Sequence, residues 1–164
     1  MPPQRIIPPP PPGFSTWEDL MREAMIEAEA AGRRGEIPVG ALLVSADGKI
    51  LSRAGNEVEG LRDPTAHAES LVLRRAASGK GERRLEGCLL VSTLEPCLMC
   101  AGSLAYAQVA GLVYGAYDAE AGAVRSCLDG LDQPFLKHRV WHMGGVLDQE
   151  CAEMLRAFFL SRRI

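Results

Sequence analysis

The chain has 164 residues, 47% hydrophobic and 24% charged, with a formal net charge of −3. These values describe one globular domain able to bury a core without disulfides. They exclude a membrane span, because no apolar run approaches the ~20 residues needed, and they supply no global field that would draw in nucleic acid. The proline-rich start is unlike a signal peptide. Five cysteines with one close pair argue against a disulfide framework and for a reducing cytoplasm. Fifteen of the eighteen basic residues are Arg, several in pairs. Arg suits bidentate phosphate contacts, although paired charges are more often plain solvated surface.

Residues 1–13 hold seven of the eleven prolines, five of them consecutive at Pro8–Pro12. This reads as a polyproline II arm without a core of its own, a spacer or extension rather than a ligand for a proline-binding module. Residues 14–164 form the domain. Ser15-x-x-Glu18 predicts a capping box for a first helix, with Leu20, Ala24, Ala28 and Ala31 at helical spacing and Gly32 and Gly35 as its end. Val39–Ser45 and Ile50–Asn56 read as strands joined by an Asp47-Gly48 turn. Asp63-Pro64-Thr65 starts a second helix over about 66–77. Cys88–Thr93 is the third strand, Pro96 opens a third helix, and Leu112–Ala116 is the fourth strand. Residues 117–137 are less regular, with room for one short helix. Arg139–Met143 is a fifth strand, and Asp148 caps a last helix with Cys151, Met154, Leu155, Phe158 and Phe159 on its apolar side. A hairpin followed by alternating strands and helices implies a three-layer α/β/α sandwich around a five-stranded mixed sheet.

Two strings carry chemistry: His67-Ala68-Glu69, and Glu95-Pro96-Cys97-Leu98-Met99-Cys100. One imidazole and two thiols are three zinc ligands, one fewer than a closed structural site requires. Pro96 puts Cys97 and Cys100 one helical turn apart, and His67 falls in the first turn of its own helix, so two helix N-termini converge on one metal. Their partial positive charge favours thiolates. Glu69 lies roughly 200° around the helix from His67, out of the ligand plane but within reach of the space beside the metal. A carboxylate there can take a proton from attacking water and return it to a departing amine. The spacing H-x-E…P-C-x-x-C is the established signature of zinc nucleobase deaminases. Two other readings compete: a redox C-x-x-C pair, which leaves Pro96 and His67 unexplained, and a structural zinc with a hidden fourth ligand such as Cys88 or His138.

Longer strings narrow the class. Ile37-Pro38-Val39-Gly40-Ala41, Asp63-Pro64-Thr65-Ala66-His67-Ala68-Glu69, Leu94-Glu95-Pro96-Cys97-Leu98-Met99-Cys100-Ala101-Gly102 and Val113-Tyr114-Gly115-Ala116 resemble the bacterial tRNA-specific adenosine deaminases, as do His138-Arg139, Gly145-Val146-Leu147 and Phe158-Phe159. The likeness covers everything except the proline arm. It implies the cytidine deaminase-like fold, one Zn²⁺ per subunit, a homodimer, and hydrolysis of the wobble adenosine in a tRNA anticodon loop to inosine. It also implies that Asn56 hydrogen-bonds the flipped base, an amide being able to pair with a purine edge at two points. Asp118 would lie near the ribose of a flanking nucleotide, where a carboxylate can accept from a 2′-hydroxyl. Taken alone, Asn56 reads as a strand-ending turn residue and Asp118 equally well as a loop cap.

The chain departs from the pattern on the nucleic-acid side. Ala107-Gln108-Val109 stands where relatives usually carry Ser-Arg-Ile, Glu120 occupies a commonly basic position, and Lys137 replaces an Asn. Two positive charges are lost, which leaves Arg62, Arg125, Arg139 and the terminal Arg162-Arg163 pair as candidates for phosphate contacts. An enzyme acting on free guanine or cytosine shares the same metal chemistry, and a non-catalytic zinc-stabilised RNA-binding subunit would have no need of Glu69. Cys127 carries no reading, and Trp141 and His142, near the end of a late strand, read as packing or exposed strand residues.

Overall fold

The computed structural model describes residues 7–162. Five helices and five strands follow in the order α1 (Trp17–Arg33), β1 (Gly40–Val44), β2 (Ile50–Gly55), α2 (Val58–Leu61), α3 (Ala68–Lys80), β3 (Leu89–Leu94), α4 (Leu98–Ala107), β4 (Gly111–Ala116), β5 (Trp141–Met143) and α5 (Asp148–Ser161). The strands form one sheet in the order β2-β1-β3-β4-β5. β1 is antiparallel to both neighbours, and β3, β4 and β5 are parallel. This is the expected five-stranded mixed sheet.

Side chains alternate across the strands and feed two cores. Leu43, Leu90 and Leu112 pack with Leu71, Val72 and Leu104 of α3 and α4. Leu42, Val44, Val91 and Val113 pack with Leu20, Met21 and Ala24 of α1 and Cys151 of α5. Helices therefore cover both faces, and every residue of β1, β4 and the first five of β3 is buried. Continuous apolar strands without polar alternation are what a doubly covered sheet demands.

The structure corrects several local expectations. Thr16, not Ser15, caps α1, accepting the Asp19 N–H at 3.0 Å. Gly32 lies inside α1, which stops at Gly35, and α3 runs past the expected end near 77 to Lys80 and stops at Gly81, both stops having positive φ. α2 has no counterpart among the expected elements, because four residues are too few to show a period. Residues 117–137 contain no helix. Asp148 is the first residue of α5 rather than its cap, which is Leu147 in the left-handed region. Of the expected apolar side of α5, Cys151 alone is fully buried, and Phe159 is exposed.

The described part of the arm is not a free extension. Pro12 crosses the β1–β2 turn so closely that a Cβ on Gly48 would lie 1.8 Å from the Pro12 carbonyl oxygen. Gly48 also has φ +89°, so glycine is required there twice over. The Trp141 ring meets Trp17 edge-on at 5.9 Å, and His142 Nε2 sits 3.0 Å from Asp132 Oδ2, tying the irregular 128–138 stretch to β5.

β2, β3, β4 and β5 all run the same way, so their carboxyl ends share one edge of the sheet. Asn56 follows β2, Glu95–Cys97 follow β3, and Asp118 follows β4. In open α/β sheets that edge is where ligands bind.

Candidate metal centre and active site

His67 and Cys97 are the N-cap residues of α3 and α4, both with extended backbone. They stand one position earlier than a first-turn placement, and Pro96 precedes the cap rather than opening the helix. The geometric consequence is the same, since Cys97 at the cap and Cys100 three residues on face a common point. An extended cap residue also turns its side chain out over the helix end. Asp63 builds the approach to α3 by accepting from the Thr65 N–H at 2.8 Å and the Thr65 hydroxyl at 2.7 Å.

His67 Nδ1 lies 3.6 Å from both Cys97 Sγ and Cys100 Sγ. The three ligand atoms are within 4.8 Å of one another. A tetrahedral zinc with bonds of about 2.3 Å to sulfur and 2.0 Å to nitrogen separates those atoms by about 3.6 Å. The donor set therefore fits zinc in type and in spacing. Among the described residues no fourth His, Cys, Asp or Glu joins the group. His138 Nε2 is engaged with the Val109 carbonyl at 2.7 Å, and Cys88 is buried in the core, so neither is the hidden fourth ligand. The site is open at one position, as a catalytic zinc site must be.

The electrostatics of the cluster agree. Cys97 is drawn down to about 4, chiefly by its hydrogen bond with Cys100, against the cost of burial and with help from His67. The Cys100 thiol is pushed up as the proton holder of the pair, first by Cys97, then by burial. His67 is raised by its contact with the Cys97 sulfur. A dication held between these sulfurs would favour loss of the thiol protons.

Glu69 is buried beside this group, with Oε2 3.7 Å from Cys100 Sγ and Oε1 accepting the Ser92 hydroxyl at 3.0 Å. Burial raises its carboxyl above the usual range, which favours a group that both takes and gives a proton. The Ser92 hydroxyl, fully buried on β3, also lies 2.9 Å from the Leu94 carbonyl. It has one proton for two acceptors. Sequence reasoning missed Ser92, yet the Ser92-Thr93 pair of hydroxyls inside an otherwise apolar strand is a visible signal.

Asn56 is buried against the same centre. Its Oδ1 accepts the Ala68 N–H at 2.9 Å, satisfying one orphan donor at the start of α3. The amide oxygen keeps a second lone pair and Nδ2 keeps its donors, so both ends of the Asn56 side chain retain hydrogen-bonding capacity. A cavity of about 620 Å³ opens here, lined by Glu36, Asn56, Pro64, His67, Phe158 and Arg162 among others. Asp118 sits on the loop after β4, where its Oδ1 accepts the N–H groups of Glu120 and Ala121 at 3.0 and 3.1 Å. It is a loop cap with one oxygen to spare.

Glu95, read from the sequence only as a letter of the metal motif, is the most heavily hydrogen-bonded carboxylate of the site. Burial would raise its pKa, but donors from Ser126, Arg125 and Asp118 hold it below the ordinary value. Of the Arg candidates, Arg62 is the left-handed C-cap of α2, Arg125 lies 3.8 Å from Asp129, and Arg139 donates to the Gln133 carbonyl. Arg162 donates to the Gly35 carbonyl and stacks 4.4 Å over Phe158, and Arg163 lies outside the described residues. The Cys127 thiol is exposed and contacts the Ala119 carbonyl.

Comparison with known proteins agrees with this geometry. The family model of the cytidine and deoxycytidylate deaminase zinc-binding region matches residues 15–116. A tRNA-specific adenosine deaminase of Agrobacterium fabrum is 44% identical over 145 residues, covering 88% of this chain and 95% of that one. A solved deaminase that carries out A-to-I editing at the wobble position of transfer RNA shares 43% identity at a TM-score of 0.80, covering 84% of this chain and 99% of the other. The guanine deaminase of Nitrosomonas europaea, at 23% identity and a TM-score of 0.75 over 91% and 87% of the two chains, shares the fold. Three ligands at zinc spacing, a buried carboxylate beside them and relatives this similar over nearly the whole chain lead to one assignment: the chain belongs to the tRNA-specific adenosine deaminases of the cytidine deaminase-like zinc family.

Proposed function

We propose that this protein hydrolyses the wobble adenosine of a tRNA anticodon to inosine and releases ammonia. The observation that carries the reading is the placement of Glu69, buried and 3.7 Å from a ligand sulfur yet outside the ligand set. A non-catalytic zinc-stabilised subunit would have no use for it. His67 Nδ1, Cys97 Sγ and Cys100 Sγ would hold one Zn²⁺ per subunit, which when bound supplies the acidity that makes water a nucleophile near neutral pH. Glu69 takes the proton of the attacking water as its oxygen bonds to C6. It then gives that proton to the amino nitrogen as the C6–N bond breaks. Ser92 holds the carboxylate in place through both transfers. Asn56 donates through Nδ2 to an acceptor on the base, and the spare oxygen of Asp118 accepts from a flanking 2′-hydroxyl, the group that marks RNA.

Residues 14–164 make up the catalytic domain and residues 1–13 its N-terminal arm. The protein works in the cytoplasm, and no described helix is long and apolar enough to cross a membrane. It pairs as a homodimer. Support for a protein partner comes from the outer face of α4, where Leu98 and Tyr106 are 65% and 86% exposed and border a groove of about 610 Å³ with Phe135. Apolar side chains gathered in this way mark an interaction face.

One observation favours a second reading, deamination of a free base such as guanine or cytosine. Phe158 and Arg162 of the last helix reach the cavity wall, as they would in a pocket closed over a small substrate. The test is to incubate tRNA transcripts carrying adenosine at the wobble position with the zinc-loaded protein and to look for inosine there. Conversion at that position and no other adenosine is the expected result. Unchanged transcripts together with turnover of a free base would overturn the proposal.

A further inference from the structure

No reaction step uses Glu95, although its side chain is as well placed as any in the site. It is 1% exposed, and no cation pairs with it among the described residues. Its charge is met by donors from a single loop. Oε1 accepts the Asp118 N–H at 3.2 Å and the Ser126 hydroxyl, while Oε2 accepts the N–H groups of Val124, Arg125 and Ser126 at 3.2, 3.0 and 3.0 Å. A carboxylate offers about four lone-pair sites, so these donors saturate it. Main-chain bonds run beside them: Glu95 N–H to the Ala116 carbonyl at 2.8 Å, and Ala123 N–H to the Pro96 carbonyl at 2.9 Å. The loop closes over the carboxylate at Gly122, where a Cβ would lie 2.4 Å from Glu95 Cδ and 2.6 Å from the Asp118 carbonyl oxygen. Residues 118–126 have no helix or strand of their own and are wound around this one group.

Two residues on from Glu95 stands Cys97, the cap of the metal helix. The loop it gathers carries Asp118 and Arg125, and the main-chain N–H of each is bonded to it. The carboxylate therefore joins the chain that delivers a metal ligand to the chain that presents two candidate RNA contacts. We propose that Glu95 is a positioning residue for the RNA: it fixes loop 118–126, and with it Asp118 and Arg125, at a set place relative to His67, Cys97 and Cys100. The proposal rests on the tRNA reading above. A residue that only stabilised the fold would leave RNA affinity alone once the protein was folded. A residue that sets the loop must move it.

The test compares Glu95→Gln, Gly122→Ala and Ser126→Ala with the parent. Gln keeps the size of Glu but turns an NH2 group towards N–H donors. Gly122→Ala drives a methyl against the Glu95 carboxylate from the loop side while keeping Glu at position 95. For each protein, bound zinc and Tm are measured, with KM and kcat on an anticodon stem-loop bearing a wobble adenosine. The Kd for the same stem-loop is measured with Glu69→Ala added to prevent turnover. Glu95→Gln and Gly122→Ala are expected to keep one zinc per chain and to raise Kd and KM about tenfold or more. Their kcat at saturation should stay within about threefold, since misplaced contacts cost binding before chemistry. Ser126→Ala, which removes one hydroxyl and leaves four main-chain donors, should raise Kd about two- to threefold. Folded variants with unchanged Kd and KM overturn the proposal, as does loss of zinc, which would make Glu95 a support of the metal helix. A fall in kcat alone overturns it too, by placing the effect at the reacting centre. If Glu95→Gln does not fold, Gly122→Ala and Ser126→Ala decide by the same readings. Wild-type protein inert towards the stem-loop would overturn the functional reading itself, and this inference with it.

Discussion

The metal end and the 117–137 loop of this molecule lie side by side and are built in opposite ways. The metal ligands sit at the starts of two regular helices, α3 and α4, whose other faces are buried in the core. The loop from 117 to 137 contains no helix or strand and is held by side chains: Glu95 on residues 118–126, and the Asp132–His142 contact further on. Placement by secondary structure draws on many weak interactions at once, so no single contact decides it. Placement by a few hydrogen bonds concentrates the same task in a few residues. The first arrangement should fail through loss of ligands, the second through small changes in position.

The largest effect should come from the metal end. Cys97→Ala is expected to abolish zinc binding and activity together, because two ligands cannot hold the ion against buffer. Metal content by mass spectrometry and ammonia release check it, and a zinc-replete active variant would separate Cys97 from the metal. Next comes Glu69→Ala, for which zinc should stay stoichiometric while kcat falls by roughly 10²- to 10⁴-fold, the range for lost proton transfer. Zinc loss in this variant would make Glu69 a ligand and remove the proton shuttle from the account.

Those two positions are legible in the amino-acid sequence because their chemistry depends on residue type at fixed spacing. His67, Glu69, Cys97 and Cys100 all stand where the motif implies, and the sheet follows from its hairpin and alternating elements. What the sequence hides is whatever depends on a hydrogen bond closing across space. Thr16 and Ser15 are equally good caps on paper, and only the backbone angle at Thr16 chooses between them. Asn56 has the residue type of a base reader, and nothing in the sequence shows that its Oδ1 also accepts the Ala68 N–H at the start of α3. Glu95 reads as a motif residue although its partners lie 23 to 31 positions away. The 117–137 segment gives no periodic signal because no periodic structure is there.

Smaller effects sharpen the contrast. Asn56→Ala removes a donor to the base and leaves a buried N–H without its acceptor, so kcat/KM should fall about tenfold and Tm by several degrees. Activity loss without any drop in Tm would mean that the Oδ1–Ala68 bond does not support α3. Ser92→Ala should lower kcat only severalfold, leaving KM and zinc unchanged, since it frees the Glu69 carboxylate to wander but keeps its charge. A KM effect in place of a kcat effect would move Ser92 from orienting the proton carrier to shaping the pocket. Cys127→Ser, at an exposed loop position, should change stability by less than about 0.5 kcal/mol and leave turnover as it was. Any substantial loss there would show that the irregular loop tolerates less than its exposure suggests.

The central claim is that this zinc site acts on a nucleotide held in RNA. It is tested most directly by measuring ammonia release from one zinc-loaded preparation, side by side, with a wobble-adenosine anticodon stem-loop and with free guanine, cytosine and adenosine. Turnover of the stem-loop alone is the predicted result. Turnover of a free base with none of the stem-loop would contradict the account, and would make the Phe158 and Arg162 wall the lid of a small-molecule pocket.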